Sequence, residues 1–171
     1  DWGKDKKLNA LVSEGKVGKN PSSRAKHATG QGKIMLVEPE TFMNNSGKSV
    51  APLIKSKKSA EQLVVIHDDL DLPLGKIKIS FNRGSGGHRG IESIKRAIKT
   101  EGFIRLRVGI SSVTPSGKIK KPKGDKAVGD FILGKFKPKE IEILKKVSKK
   151  ASDALAMIVS DGREKAMGEY N

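Results

Sequence analysis

Cysteine is absent from the 171 residues, which removes thiol nucleophiles, zinc–cysteine sites and disulfides together. An intracellular, cytoplasmic protein is therefore expected. No apolar run approaches the ~20 residues of a membrane span. The opening DWGKDKK has neither a signal-peptide core nor an initiator methionine. That start leads us to expect either a native beginning that has been removed or a piece of a longer chain. Aromatic residues make up only 4%, and no basic amphipathic helix combines with exposed aromatics, which argues against a membrane-surface role. Internal repeats are missing as well. At this length one domain, residues 1–171, suffices to bury a single core without disulfides or metal.

Negative charge is scarce. Asp and Glu number 19 against 35 Lys and Arg, a formal net charge of +16. An excess of that size points to a polyanion, most commonly nucleic acid, with a generic solvated lysine surface as the alternative.

The familiar nucleotide and hydrolase signatures are missing too. Gly84 and Gly86 open a glycine-rich stretch, GSGGHRG, but the third glycine of a dinucleotide fingerprint would fall at position 89, which is Arg89. There is no Gly-Lys-Ser/Thr ending for a P-loop and no G-x-S-x-G elbow. What remains is a glycine loop carrying His88 and Arg89 directly before Ile91, Ile94 and Ile98, whose three- and four-residue spacing predicts an amphipathic helix. A bare helix start offers unpaired N–H groups and the positive end of the dipole, so an anion, such as a terminal phosphate of RNA, is expected there.

Strands and helices interleave along the rest of the chain. LNALV at 8–12 and IMLV at 34–37 predict two strands of a hairpin around the polar, Gly/Lys-rich segment 14–33. NSG at 45–47 offers a helix start before Val50, Leu53 and Ile54, and LVVI at 63–66 suits a buried central strand. IKISF at 77–81 and IRLRVGI at 104–110 alternate like strands with one wet face. Residues 111–126, lysine-rich and broken by proline, read as a mobile basic loop. Pro138 opens a long helix with a core stripe from Ile141 to Ile158, ending at Asp161 and Gly162. The expected class is α/β: a single-domain layered sandwich with a twisted mixed sheet flanked by helices.

Two further stretches carry chemistry. The strand at 63–66 runs into His67, Asp68, Asp69 and Asp71, at a strand end where functional groups of α/β sheets collect. These carboxylates are either solvated turn residues, a metal site, or, for Asp68, a group that orients a histidine and stabilises its protonated form. His67 should point to the opposite strand face from Asp68. In PETFMNNSGKSV, Asn44 or Asn45 either caps the next helix or uses its amide to hold a carbonyl and a water together.

Taken in order, PETFMNNSGKSV, VIHDDLDLPLGKIKI, GSGGHRGIESI, FIRLRVGI and VGDFILGKF resemble the bacterial-type peptidyl-tRNA hydrolases over essentially the whole chain. The resemblance implies a monomeric single α/β domain that hydrolyses the ester joining a peptide to the 3′ ribose of tRNA, with no metal or organic cofactor. It implies that Asn44 orients ester and water, with Phe42 beside it lining the peptide groove. It further implies that Asp68 orients the catalytic histidine, that His88 sits in the glycine loop at the substrate, and that Lys78, Arg105 and Arg107 face the acceptor stem. Two departures stand out. The Gly-x-Gly-Asn-Pro-Gly-like turn and the Thr-Arg-His-Asn segment that carries the family's general base do not occur in this sequence, so an N-terminal segment is expected to be missing and the chain as it stands to be inactive. His27 does not replace that histidine. Arg89 stands where asparagine is common after GGH, and arginine keeps a phosphate donor while offering no acceptor. A non-catalytic tRNA-binding relative is the alternative. A metal-dependent nuclease built on Asp68, Asp69 and Asp71 ranks last.

Overall fold

In the computed structural model, which describes residues 1–17 and 32–171, strand β6 (Ile104–Val113) is the spine of a mixed sheet. It pairs in parallel with β4 (Val64–Pro73) and antiparallel with β5 (Ile77–Phe81). The alternating IRLRVGI pattern and the wholly apolar LVVI run place apolar side chains on the faces that helices cover, but β4 stands at an edge of the sheet among the described residues, with Ile66 exposed, and not at its centre as the LVVI run suggests. Ile77, Ile79, Ile104 and Leu106 are buried against Val147, Ala151, Ala154 and Ile158 of α5 (Pro138–Asp161) and Ala166 of α6 (Arg163–Tyr170). On the opposite face Val65 and Leu63 pack with Val50 of α1 (Ser46–Val50), Phe103, and Ile91 and Ile94 of α3 (Arg89–Ile98). Each fully buried isoleucine or phenylalanine contributes on the order of 1.5–3 kcal/mol, so the sheet is clamped from both sides.

The remaining strands form a separate antiparallel ladder: β1 (Gly3–Asp5), β2 (Ala10–Val17) and β3 (Gly32–Pro39). The expected hairpin is present and longer than the apolar runs suggested. Two short helices, α2 (Lys57–Glu61) and α4 (Asp125–Ile132), complete the set of α-helices among the described residues. Residues 111–126 depart from the expected loop. Ser112 and Val113 continue β6 and pair with β7 (Ile119–Lys120), and the turn between them is closed by Thr114 and Lys118. Mainly the stretch after β7 is irregular. In α5 the apolar stripe enters the core only from Val147, and Ile141 is exposed.

Two close approaches fix how the motifs meet. Gly47 lies against α3: a Cβ there would stand 2.3 Å from the Ser93 carbonyl oxygen, and the Gly47 N–H donates to Ser93 Oγ at 3.0 Å. At Gly109 a Cβ would stand 2.0 Å from the Pro73 carbonyl oxygen, where the β4–β6 register shifts between Asp69 and Pro73. The first contact seats the 42–47 turn on α3. The second brings the irregular end of β4 hard against β6.

Candidate active site

Asp68 lies on β4, and His88 is the N-cap residue of α3. Gly86 and Gly87, at φ +63° and +85°, adopt a backbone that L side chains avoid, which lets the loop turn sharply into the helix. His88 Nδ1 then accepts from the Gly90 and Ile91 N–H groups at 3.1 and 3.3 Å. The Glu92 N–H donates to the His88 carbonyl. The helix start is therefore not bare, contrary to the sequence expectation. The histidine supplies the acceptor that an anion would otherwise provide, a role pattern reasoning gives to Ser, Thr, Asp or Asn.

The same ring reaches Asp68. His88 Nε2 stands 3.0 Å from Asp68 Oδ1. Because Nδ1 spends its lone pair on α3, the proton sits on Nε2 and is donated to the carboxylate. This hydrogen bond, outweighing burial, holds the Asp68 carboxyl below its ordinary range. His67 and Asp68 are neighbours on β4, and both reach His88. His67 Nδ1 lies 2.7 Å from the Asp68 carbonyl oxygen, and its ring centroid is 4.7 Å from that of His88. Burial first, then the neighbouring His88, push the His67 pKa down to about 4.

The other two carboxylates diverge. Asp69 accepts from Arg107 Nε at 2.7 Å and from the Asp71 N–H at 2.7 Å. Asp71 pairs with Lys121, tying the segment after β7 to the end of β4. Among the described residues no three His, Asp or Glu side chains are grouped to hold a metal ion.

The 3-10 turn Met43–Asn45 packs on the start of α3, with Met43 Sδ 2.5 Å from where a Gly90 Cβ would stand. Asn45 occupies the N-cap position of α1 without a side-chain cap bond. Neither asparagine is thus spent as a helix cap, and Asn44 and Phe42 are exposed, Phe42 at 84%. A cavity of about 320 Å³ opens beside Phe42, lined also by Asn9, Glu40, Thr41, Asn45 and Lys48. Asp68 and His88 do not line it.

The basic residues separate. Lys78 and Arg89 are exposed. Arg105, on the same sheet face by its register, is only 5% exposed, so in this structure it cannot meet a phosphate. Arg107 is engaged by Asp69. Side-chain alternation could not reveal this, because α1 and α3 cover the face that two-residue periodicity reads as wet. The engagement of Asp69 with Arg107 was likewise missed, since it depends on a cross-strand register. His27 lies outside the described residues.

The family model described as peptidyl-tRNA hydrolase matches residues 2–171. The chain belongs to the peptidyl-tRNA hydrolase family. Among its relatives, the peptidyl-tRNA hydrolase of Aquifex aeolicus is 38% identical over 167 residues, covering 97% of this chain and 82% of that protein. The peptidyl-tRNA hydrolase of Geobacter sp. strain M21 is 39% identical over 140 residues, 81% of this chain and 69% of that one. The crystal structure of peptidyl-tRNA hydrolase from Acinetobacter baumannii superposes with a TM-score of 0.79 at 26% identity, covering all of this chain and 76% of that one. The mixed α/β architecture is thus that of the family, and no helix among the described residues is long and apolar enough to cross a membrane.

Proposed function

We propose that this chain acts on peptidyl-tRNA through the Asp68 end of β4, with Asn44 and His88 around the ester and no metal or organic cofactor. The observation that carries the reading is the Asp68–His88 hydrogen bond. One carboxylate oxygen is held by His88, so the carboxylate is aimed and ionised, and its second oxygen remains to orient a base. In the hydrolysis, a base histidine takes a proton from water as the water oxygen attacks the ester carbonyl. Asp68 stabilises the resulting imidazolium, and that proton passes to the departing 3′ oxygen of the ribose. Exposed Asn44 has an amide to donate to the carbonyl oxygen as charge develops on it. Phe42 offers an apolar surface to the peptide, and Lys78 and Arg89 offer charge to the RNA.

The base itself is not His88, whose Nδ1 is spent on α3. Nor is it His67, whose Nδ1 is tied to a carbonyl and whose ring is buried. We propose that the base comes from outside the described residues. The unpaired edge of β4 among the described residues, where Ile66 is 52% exposed, supports this reading. So does the greater length of the relatives. The test uses N-acyl-aminoacyl-tRNA as substrate and the chain together with any native sequence that adjoins it. Asp68→Asn should cut turnover far more than binding; removing the comparable carboxylate of a serine protease costs about 10⁴. Unchanged turnover would refute the role of Asp68.

A further inference from the structure

Beside the Asp68–His88 pair lies a group that the proposed chemistry does not use. His67 is 9% exposed, and its ring meets that of His88 edge-on, with centroids 4.7 Å apart and planes at 68°. Its Nδ1 lies 2.7 Å from the Asp68 carbonyl oxygen. A carbonyl oxygen only accepts, so Nδ1 carries the proton and Nε2 is a bare acceptor. That Nε2 is buried with no hydrogen-bond partner among the described residues. An unsatisfied buried acceptor is unfavourable, a cost that a leucine or phenylalanine at the same place would avoid. Packing alone therefore does not account for a histidine here.

What the histidine adds is a fixed ring angle. The Nδ1–H bond to the adjoining carbonyl prevents rotation about χ2, and the fixed edge then bounds the space that the His88 ring occupies. His88 has two demands on it from opposite ends: Nδ1 must stay on the Gly90 and Ile91 N–H groups, and Nε2 must stay on Asp68. A flip of that ring would put a carbon toward Asp68 and break both. Arg105 and Asp69 are the other charged groups that act on His67, with opposite sign, so neither imposes a charge on it.

We propose that His67 is a positioning residue of this site: its neutral, tethered ring is the wall that keeps the His88 imidazole joined to α3 and to Asp68 at once. This deepens, and rests on, the reading of Asp68 as the carboxylate that orients the base.

The experiment is ¹⁵N NMR of the imidazole nitrogens in the labelled 171-residue chain, with side-chain carboxyl titration of Asp68. Wild type should show His88 protonated at Nε2 and His67 at Nδ1. His67→Ala and His67→Asn, the latter keeping a donor but no ring, should lower the ratio of bound to flipped His88 about two- to tenfold, the worth of one edge-to-face ring pair. The Asp68 titration should move up in both. His67→Phe, which keeps the ring and drops the donor, should hold His88 closer to wild type than His67→Asn does. A wild-type His88 spectrum in His67→Ala, or in His67→Asn if the alanine variant does not fold, would overturn the proposal, as would His67→Phe disturbing His88 more than His67→Asn. These spectra do not depend on turnover: if they behave as stated while Asp68→Asn retains full activity, the hydrolase role of Asp68 fails and the positioning role stands.

Discussion

At the scale of single residues, the site is organised by where two imidazoles keep their protons. His67 has a consequence for stability that can be measured without substrate. Unfolded, it takes up a proton near its ordinary value of 6.5; folded, burial and His88 delay protonation to about 4. Between those values the unfolded chain binds more protons, so stability falls as pH drops from 6.5 toward 4, by about 3 kcal/mol in all, and above 6.5 the titration of this group has no effect on stability. Asp68 adds a loss in the same direction at lower pH, as its carboxylate protonates through a value already held low by His88. Urea titrations at stepped pH should show this decline, and His67→Phe should flatten it between 6.5 and 4; an unchanged slope would contradict the burial argument. Asp68 and His88, which the structure pairs, stand out in the sequence because each sits in an unusual local string. The tautomer of His88 does not, since it follows from a helix-cap contact and a carboxylate twenty positions away acting together.

Among the elements, α3 and the 42–47 turn do most of the placing. The isoleucine spacing after Gly90 predicts α3 correctly, with Ile91 and Ile94 buried. The identity of its cap was hidden, because histidine is an uncommon acceptor for first-turn N–H groups. The glycine loop resembles an anion cradle in sequence for the same reason: its glycines carry no acceptor, while the acceptor comes from the ring beside them. Strands β1 and β7, at three and two residues, are too short for periodicity to register. Seating of the turn on α3 depends on Gly47. Gly47→Ala would drive a methyl group into the Ser93 carbonyl, and such overpacking costs about 1–3 kcal/mol. The urea midpoint should fall accordingly, and the Met43 contact with Gly90 should loosen. An alanine variant as stable as wild type would show that α1 slides freely on α3.

For the whole molecule, composition and motif order together are enough to indicate the α/β layers and the family. They could not apportion the basic surface, because burial of Arg105 and the Arg107–Asp69 pair follow from packing across the sheet. If exposed Lys78 meets a tRNA phosphate, Lys78→Ala should reduce the slope of log affinity against log salt by about 0.7–0.9, one contact's worth of released counterions. Arg105→Ala should leave that slope alone and lower stability instead. The opposite pattern would place the RNA at Arg105 and away from Lys78. The most direct test of the account is single-turnover hydrolysis of N-acyl-aminoacyl-tRNA by the purified 171-residue chain, with tRNA binding measured on the same sample. With His88 spent on α3 and Asp68, and His67 buried, the account predicts binding with peptide release no faster than in the absence of protein. Release well above that background, lost in His88→Ala, would make His88 the base and contradict it.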